Sequence, residues 1–150
     1  AEKSCHRIYL ALLEGNVKTD SGRIVTDIGR SPSDRLKMAV LPEGKGKTAV
    51  TDYETLTHYG SDYTLCRFTL QTGRTHQIRV HAKYMGHPVV GDPLYGIRRQ
   101  KFSLAGQLLH AYKLIFTHPS TGERMEFTAP LPDYFQSLLE KLGRQYGVEL

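Results

Sequence analysis

The sequence predicts an α+β domain: a mainly antiparallel mixed sheet with a few helices packed on it. Three observations point there. Stretches rich in Thr and Tyr, Thr48 to His58 and Asp62 to Leu70, flank Gly60-Ser61, a hairpin signature. In the second stretch Cys66, Phe68 and Leu70 alternate with Arg67 and Thr69, as a half-buried strand requires. A helical period recurs in only two places, before Gly86 and near the C-terminal end.

Taken in order, Ile8 to Leu13 is a short apolar run closed by Glu14-Gly15 and reads as a strand. Because it comes so early and a strand needs neighbours for its backbone groups, the natural protein is expected to continue upstream. Asp20-Ser21-Gly22 is turn chemistry, and Ile24, Val25 and Ile28 predict a short strand after it. Residues 29–47, rich in Gly, Pro and positive charge, read as a loop. The hairpin follows. From Thr75 to Met85 the residues Ile78, Ala82 and Met85 share one helical face, and Gly86 supplies a stop. His87 to Val90 reads as a short extended piece entering a turn at Gly91-Asp92-Pro93. Leu104 to Phe116 and Glu123 to Ala129 flank Pro119 to Gly122 as a second hairpin. Phe135, Leu138, Leu139, Leu142 and Tyr146 form the apolar, core-facing stripe of a last helix, with Pro132 suited to its first turn.

The 150 residues fit one domain, and 39% hydrophobic residues suffice for a core. Lys and Arg outnumber Asp and Glu by 20 to 15, a net +5 that permits a polyanionic partner without specifying one. Two separated cysteines make no CxxC pair, so no zinc or redox motif is present, and Cys66 reads as a small core residue. No apolar run approaches the roughly 20 residues needed to span a bilayer, and the first residues lack a signal-peptide layout. A cytoplasmic protein with no membrane partner is the expectation.

The densest chemistry lies in LQTGRTHQIRVH, Leu70 to His81. Gly73, Arg74, Thr75, His76 and Gln77 sit where a strand ends and a helix begins, and a helix start favours phosphate or carboxylate. Arg74 and Arg79 add forked positive charge, and His76, Gln77 and His81 add hydrogen-bonding groups. Chemistry alone leaves two readings open, a solvated basic face and a functional site. A metal site on His76, His81, His87 and Asp92 is disfavoured, because the HxxxxH spacing does not put both histidines on one helical face. Asp92 reads as the cap of its own turn and His110 as a structural histidine. Arg98, Arg99 and Lys101 form a small basic run that would add phosphate contacts or lie in solvent.

TGRTHQIRVH followed by GHPVVGDPLYG resembles the signature of the RluA-type RNA pseudouridine synthases. RIYLALLEG (Arg7 to Gly15), GRSPSDRLKMAV (Gly29 to Val40), LLHAYKLIFTHPSTGE (Leu108 to Glu123) and APLP (Ala129 to Pro132) agree in order and spacing. The resemblance covers essentially the whole chain. It implies the pseudouridine synthase catalytic fold and an enzyme, an isomerase that needs no cofactor and no metal. Such an enzyme breaks the C1′–N1 bond of a uridine in structured RNA, ribosomal RNA above all, turns the base and rejoins it through C5. An ionised aspartate serves positive character at C1′, and the target nucleotide leaves its stack. Residue by residue, the resemblance makes Arg79 the arginine that pairs with that aspartate. It makes Tyr9 the base-stacking tyrosine and Leu109 an apolar residue near the base. Arg74, His76 and Gln77 become supporting positions that hold the turn and contact RNA, and Arg30, Arg35 and Lys37 belong to the RNA-approaching loop.

One departure matters. The family's aspartate lies in an HRLD-type motif upstream of the RIYLALLEG strand, and no such motif occurs in this sequence. The chain is therefore expected to be a partial catalytic domain, inactive alone, whose Arg79 awaits a carboxylate from elsewhere. The alternative is a catalytically dead RNA-binding paralogue or assembly factor of the same fold.

Overall fold

A computed structural model describes residues 5–98, 102 and 106–148. Among them, seven strands form one sheet: β1 (His6–Glu14), β2 (Ser21–Arg30), β3 (Met38–Leu41), β4 (Lys47–Tyr59), β5 (Tyr63–Leu70), β6 (Leu109–Thr117) and β7 (Arg124–Thr128). Their order is β3-β2-β4-β5-β1-β6-β7, and every pairing of neighbours is antiparallel. The helices are α1 (Gln77–Tyr84) and α2 (Asp133–Tyr146).

Strand alternation divides the apolar residues between two faces. Leu12 and its register partner Leu65 join Tyr59 and Tyr63 beneath Phe135, Leu138, Leu139 and Leu142 of α2. Ala11 and its partner Cys66, with Leu13, Phe68 and Leu70, cluster with Ile78 and Ala82 of α1. A third cluster of Ile28, Ala49, Val80 and Tyr95 joins β2, β4, α1 and the turn after Gly91, with Met38 and Val40 of β3 packed against it. The two helices thus cover opposite faces, and α1 lies on the face that carries Tyr9.

The α+β class and both hairpins agree with expectation, with several corrections. The sheet is antiparallel among the described residues, not mixed. β2 runs ten residues instead of a short strand, and takes in Ser21 and Gly22, so the bend falls at Thr19-Asp20. The expected loop over 29–47 contains β3, whose half-buried positions rest on the third cluster. α1 begins at Gln77, two residues later than the pattern suggested, because His76 adopts a left-handed conformation that no helix can include. β6 begins at Leu109, and Leu104 lies outside the described residues. Pro132 precedes α2 as its cap, with extended ψ, and is not in the first turn. β1 needs no strand from elsewhere: β5 and β6 flank it on either side, and its backbone is paired within this chain. The sheet's open edges are β3, four residues long, and β7.

Candidate functional site

The segment Thr72–Arg79 is anchored by one side chain. Gln77 is buried, and its amide uses all four of its hydrogen-bonding positions. Its Oε1 accepts from the Thr72 hydroxyl at 2.8 Å and the Arg74 N–H at 2.9 Å. Its Nε2 donates to the Val50 carbonyl at 3.0 Å and to Thr51 Oγ1 at 2.8 Å. The expected RNA contact by this side chain is therefore corrected: Gln77 holds the turn against β4, with nothing left for a ligand. Arg74 Nε donates to the Thr48 carbonyl at 2.8 Å, tying the same turn down while its guanidinium stays half-exposed.

His76 is the sole non-glycine residue with positive φ among the described residues, at φ 58° and ψ 23°. A non-glycine residue there costs of the order of 1 kcal/mol or more. That conformation brings its Nδ1 to 2.8 Å from the Tyr95 hydroxyl. Burial first, and then the positive charge of Arg79, lower the His76 pKa and favour a neutral ring.

Arg79 is not an unpaired cation. Its Nε and Nη2 each donate to Asp92 at 2.8 Å in a bidentate pair whose carboxylate side chain is fully buried. The Tyr95 ring lies against the guanidinium, 5.0 Å from Cζ to centroid. Burial works to raise the Asp92 pKa, but the Arg79 hydrogen bond and the Tyr95 and Leu94 N–H groups outweigh it and hold the carboxyl below its ordinary range. Asp92 does cap its turn, accepting from Leu94 N–H at 2.9 Å and Tyr95 N–H at 3.1 Å. The expectation that Arg79 awaits a carboxylate is corrected accordingly: one edge of its guanidinium is already taken.

The loop between β2 and β3 is a built turn. Ser31 N–H donates to the Lys37 carbonyl at 2.9 Å, and Asp34 Oδ1 accepts from Leu36 N–H at 3.0 Å. Arg30 and Arg35 are exposed and Lys37 half-buried. Lys37 lines a groove of about 600 Å³ with Ser31, Val80, Lys83, Tyr84 and Tyr95. A neighbouring groove of about 350 Å³ is lined by Met38, Lys47, Gly73, Arg74 and Thr75. Met38 belongs to both, so the predicted loop residues and the predicted helix-start residues share one basic, grooved surface.

Tyr9 and Leu109 are half-buried neighbours of the cluster that seats α1. The β1–β6 register shifts beside Tyr9, leaving Tyr112 as an extra residue on β6. Bulges of this kind re-aim side chains and are frequent next to active sites. His81 belongs to the interior: it is fully buried, with Nδ1 2.7 Å from Thr51 Oγ1 and Nε2 2.8 Å from Thr26 Oγ1. His87 Nδ1 donates to the Glu14 carbonyl at 2.8 Å, and His110 Nε2 lies 3.3 Å from the Ala129 carbonyl. Arg98 is exposed, whereas Arg99 and Lys101 lie outside the described residues. Sequence reading missed Lys47, Lys83, Tyr84 and Tyr95. Only Tyr95 had a signal, its place in GDPLYG, because the others come together through folding alone.

A family model described as RNA pseudouridylate synthase matches residues 1–84, more than half of the chain. The chain belongs to the RNA pseudouridine synthase family. Relatives of high identity support the resemblance to the RluA-type enzymes. An RNA pseudouridine synthase of Chloroflexus aurantiacus is 49% identical over 91% of this chain and 42% of its own length. Ribosomal large subunit pseudouridine synthase D of Neisseria meningitidis serogroup A is 46% identical over 99% of this chain and 41% of its own. The chain thus spans about two fifths of these relatives. Among solved structures, human RNA pseudouridylate synthase domain containing 1 superposes with a TM-score of 0.71 at 29% identity, over 92% of this chain and 65% of that one. The sheet with α1 on one face is therefore the pseudouridine synthase fold, and the segment 72–79 lies within the part of the chain that the family model matches.

Proposed function

We propose that the protein containing these residues isomerises uridine to pseudouridine in structured RNA, ribosomal RNA being the intended substrate, in the cytoplasm. The observation that supports this reading is the basic grooved surface on which the β2–β3 loop and the start of α1 meet, in a chain of this family. In the reaction the C1′–N1 bond breaks, a C1′–C5 bond forms, the C5 proton leaves and N1 takes up a proton, so the product is an isomer. Arg79 offers N–H donors to the aspartate that serves C1′, an aspartate supplied from outside these 150 residues. Tyr9 stacks on the target base, with Leu109 packed beside it. Arg30, Arg35 and Lys37 hold the RNA backbone from the β2–β3 loop, and Arg74 and His76 from the helix start; Gln77 keeps that start in shape. No cofactor or metal enters this scheme. These 150 residues alone, without that aspartate, bind RNA and turn nothing over.

The test uses the complete protein and a transcript of large-subunit ribosomal RNA with uridine tritiated at C5. The expected result is tritium release matched by pseudouridine formation. RNA binding with no tritium release would favour the RNA-binding paralogue instead. The 150-residue chain assayed alone is expected to bind the transcript and release no tritium; release would show that it carries its own carboxylate.

A further inference from the structure

Asp92 serves two groups at once. Two backbone N–H groups, of Leu94 and Tyr95, fix its carboxylate to the turn after Gly91. The bidentate contact then fixes the guanidinium plane of Arg79 to that carboxylate. The Tyr95 ring closes one face of the guanidinium. The Tyr95 hydroxyl accepts the Met38 N–H at 2.8 Å, at the first residue of β3, and meets His76 Nδ1 at the same distance. Every hydrogen bond of Arg79 among the described residues thus uses Nε or Nη2, and Nη1 is left over. The only fully buried side-chain nitrogen or oxygen without a partner among those residues is the Tyr59 hydroxyl, so Nη1 reaches the surface.

We infer that Asp92 and Tyr95 are positioning residues for Arg79: together they aim its Nη1 edge outward and tie that aim to the β2–β3 loop through Met38. The Arg79–Asp92 pair is neutral as a whole. What it presents to an incoming carboxylate or phosphate is a directed pair of N–H bonds more than a net charge. Direction requires a rigid mount, and a buried carboxylate held by two amides, with an aromatic ring on the cation's face, provides one. Stability alone is a poor account of the arrangement, since a buried ion pair often does no better than well-packed apolar side chains. Tyr95 also links the two predicted RNA-contacting regions, because one hydroxyl joins the start of β3 to the strained His76. A shift of the loop on binding RNA is thereby felt at Arg79.

This inference rests on the proposed reaction, and the experiment separates the two. The complete protein is assayed under single-turnover conditions with the C5-tritiated ribosomal transcript, as wild type, Asp92→Asn, Tyr95→Phe, Arg79→Lys and the Arg79→Lys/Asp92→Asn double variant. Each is run well below its own melting temperature, with folding checked by circular dichroism. Asp92→Asn is expected to slow tritium release about 100-fold, the scale set by a misplacement of about 1 Å. Tyr95→Phe keeps the ring on Arg79 and loses only the hydroxyl, and is expected to slow release about tenfold, with RNA affinity within about twofold in both variants. If Asp92 acts through Arg79, the double variant is no slower than Arg79→Lys within about threefold. Folded Asp92→Asn and Tyr95→Phe proteins that both react at the wild-type rate would overturn the inference. So would losses that multiply in the double variant. An inactive wild type would overturn the proposed function and this inference with it, whereas an active wild type with unaffected variants overturns the inference alone.

Discussion

Lowering the pH should destabilise this domain through His81. The ring is fully buried between Thr26 and Thr51, and burial pushes its pKa down to about 4. In the unfolded chain a histidine titrates near 6.5. The folded pKa is the lower of the two, so as pH falls the unfolded chain binds the proton first. Stability is complete above about pH 6.5, falls by up to about 1.4 kcal/mol per pH unit below it, and levels off once the folded ring also protonates. Between about pH 7 and pH 4 the loss from this one group is about 3 kcal/mol, a large part of the 5–15 kcal/mol typical of a domain. The perturbation is His81→Gln, which removes the titration and can still bond a threonine hydroxyl. Urea unfolding of both proteins at intervals across that range gives the difference in stability at each pH. That difference should shrink by about 3 kcal/mol towards pH 4 in favour of the glutamine variant. Carboxylates such as Asp92 titrate in both proteins and cancel. Parallel pH curves for wild type and variant would refute the reasoning.

Lys37→Ala should weaken RNA binding at every salt concentration and lower the slope of log affinity against log salt by about 1, with the single-turnover rate largely kept. An unchanged slope would remove Lys37 from the phosphate contacts. Gln77→Ala should cost about 1–3 kcal/mol in a urea titration, since it strands the Arg74 N–H and takes one of two partners from the Val50 carbonyl and from Thr51 Oγ1, which keep the Gln71 N–H and the His81 ring. A stable variant with weakened RNA binding would restore Gln77 as a contact. A thiol reagent at neutral pH should label Cys5, which is exposed, and spare Cys66, which is buried with a thiol pKa pushed up to about 11. Labelling of both residues in the folded protein would contradict that burial.

The strands and helices were largely legible because each has its own short-range signal. Alternation at Cys66, Phe68 and Leu70 and the Gly60-Ser61 turn are local facts, and so is the stripe from Phe135 to Tyr146. β3 was not legible: Met38 to Leu41 shows no alternation, since all four residues are half-buried, and it forms a strand because β2 offers an edge and Tyr95 takes its first N–H. The start of α1 was misplaced for a related reason. The left-handed turn at His76 is held by Tyr95, 19 residues away, and by the Gln77 network to β4.

By itself the sequence determined the family, through ordered motifs whose spacing needs no coordinates, and it singled out Arg79 and the basic loop. Tertiary structure alone decided what those residues have for neighbours. It put Asp92 on Arg79, turned Gln77 inward and His81 into the core, and brought Lys83 and Tyr84 into the groove beside Lys37. The physical reason is that hydrogen bonds and burial belong to pairs of residues brought together by the sheet order. β1, first in the chain but seated between β5 and β6 in the sheet, meets partners from Tyr63 to Leu70 on one side and from Leu109 to Ile115 on the other. A residue's type is written in the chain, whereas the group that answers it is set by folding.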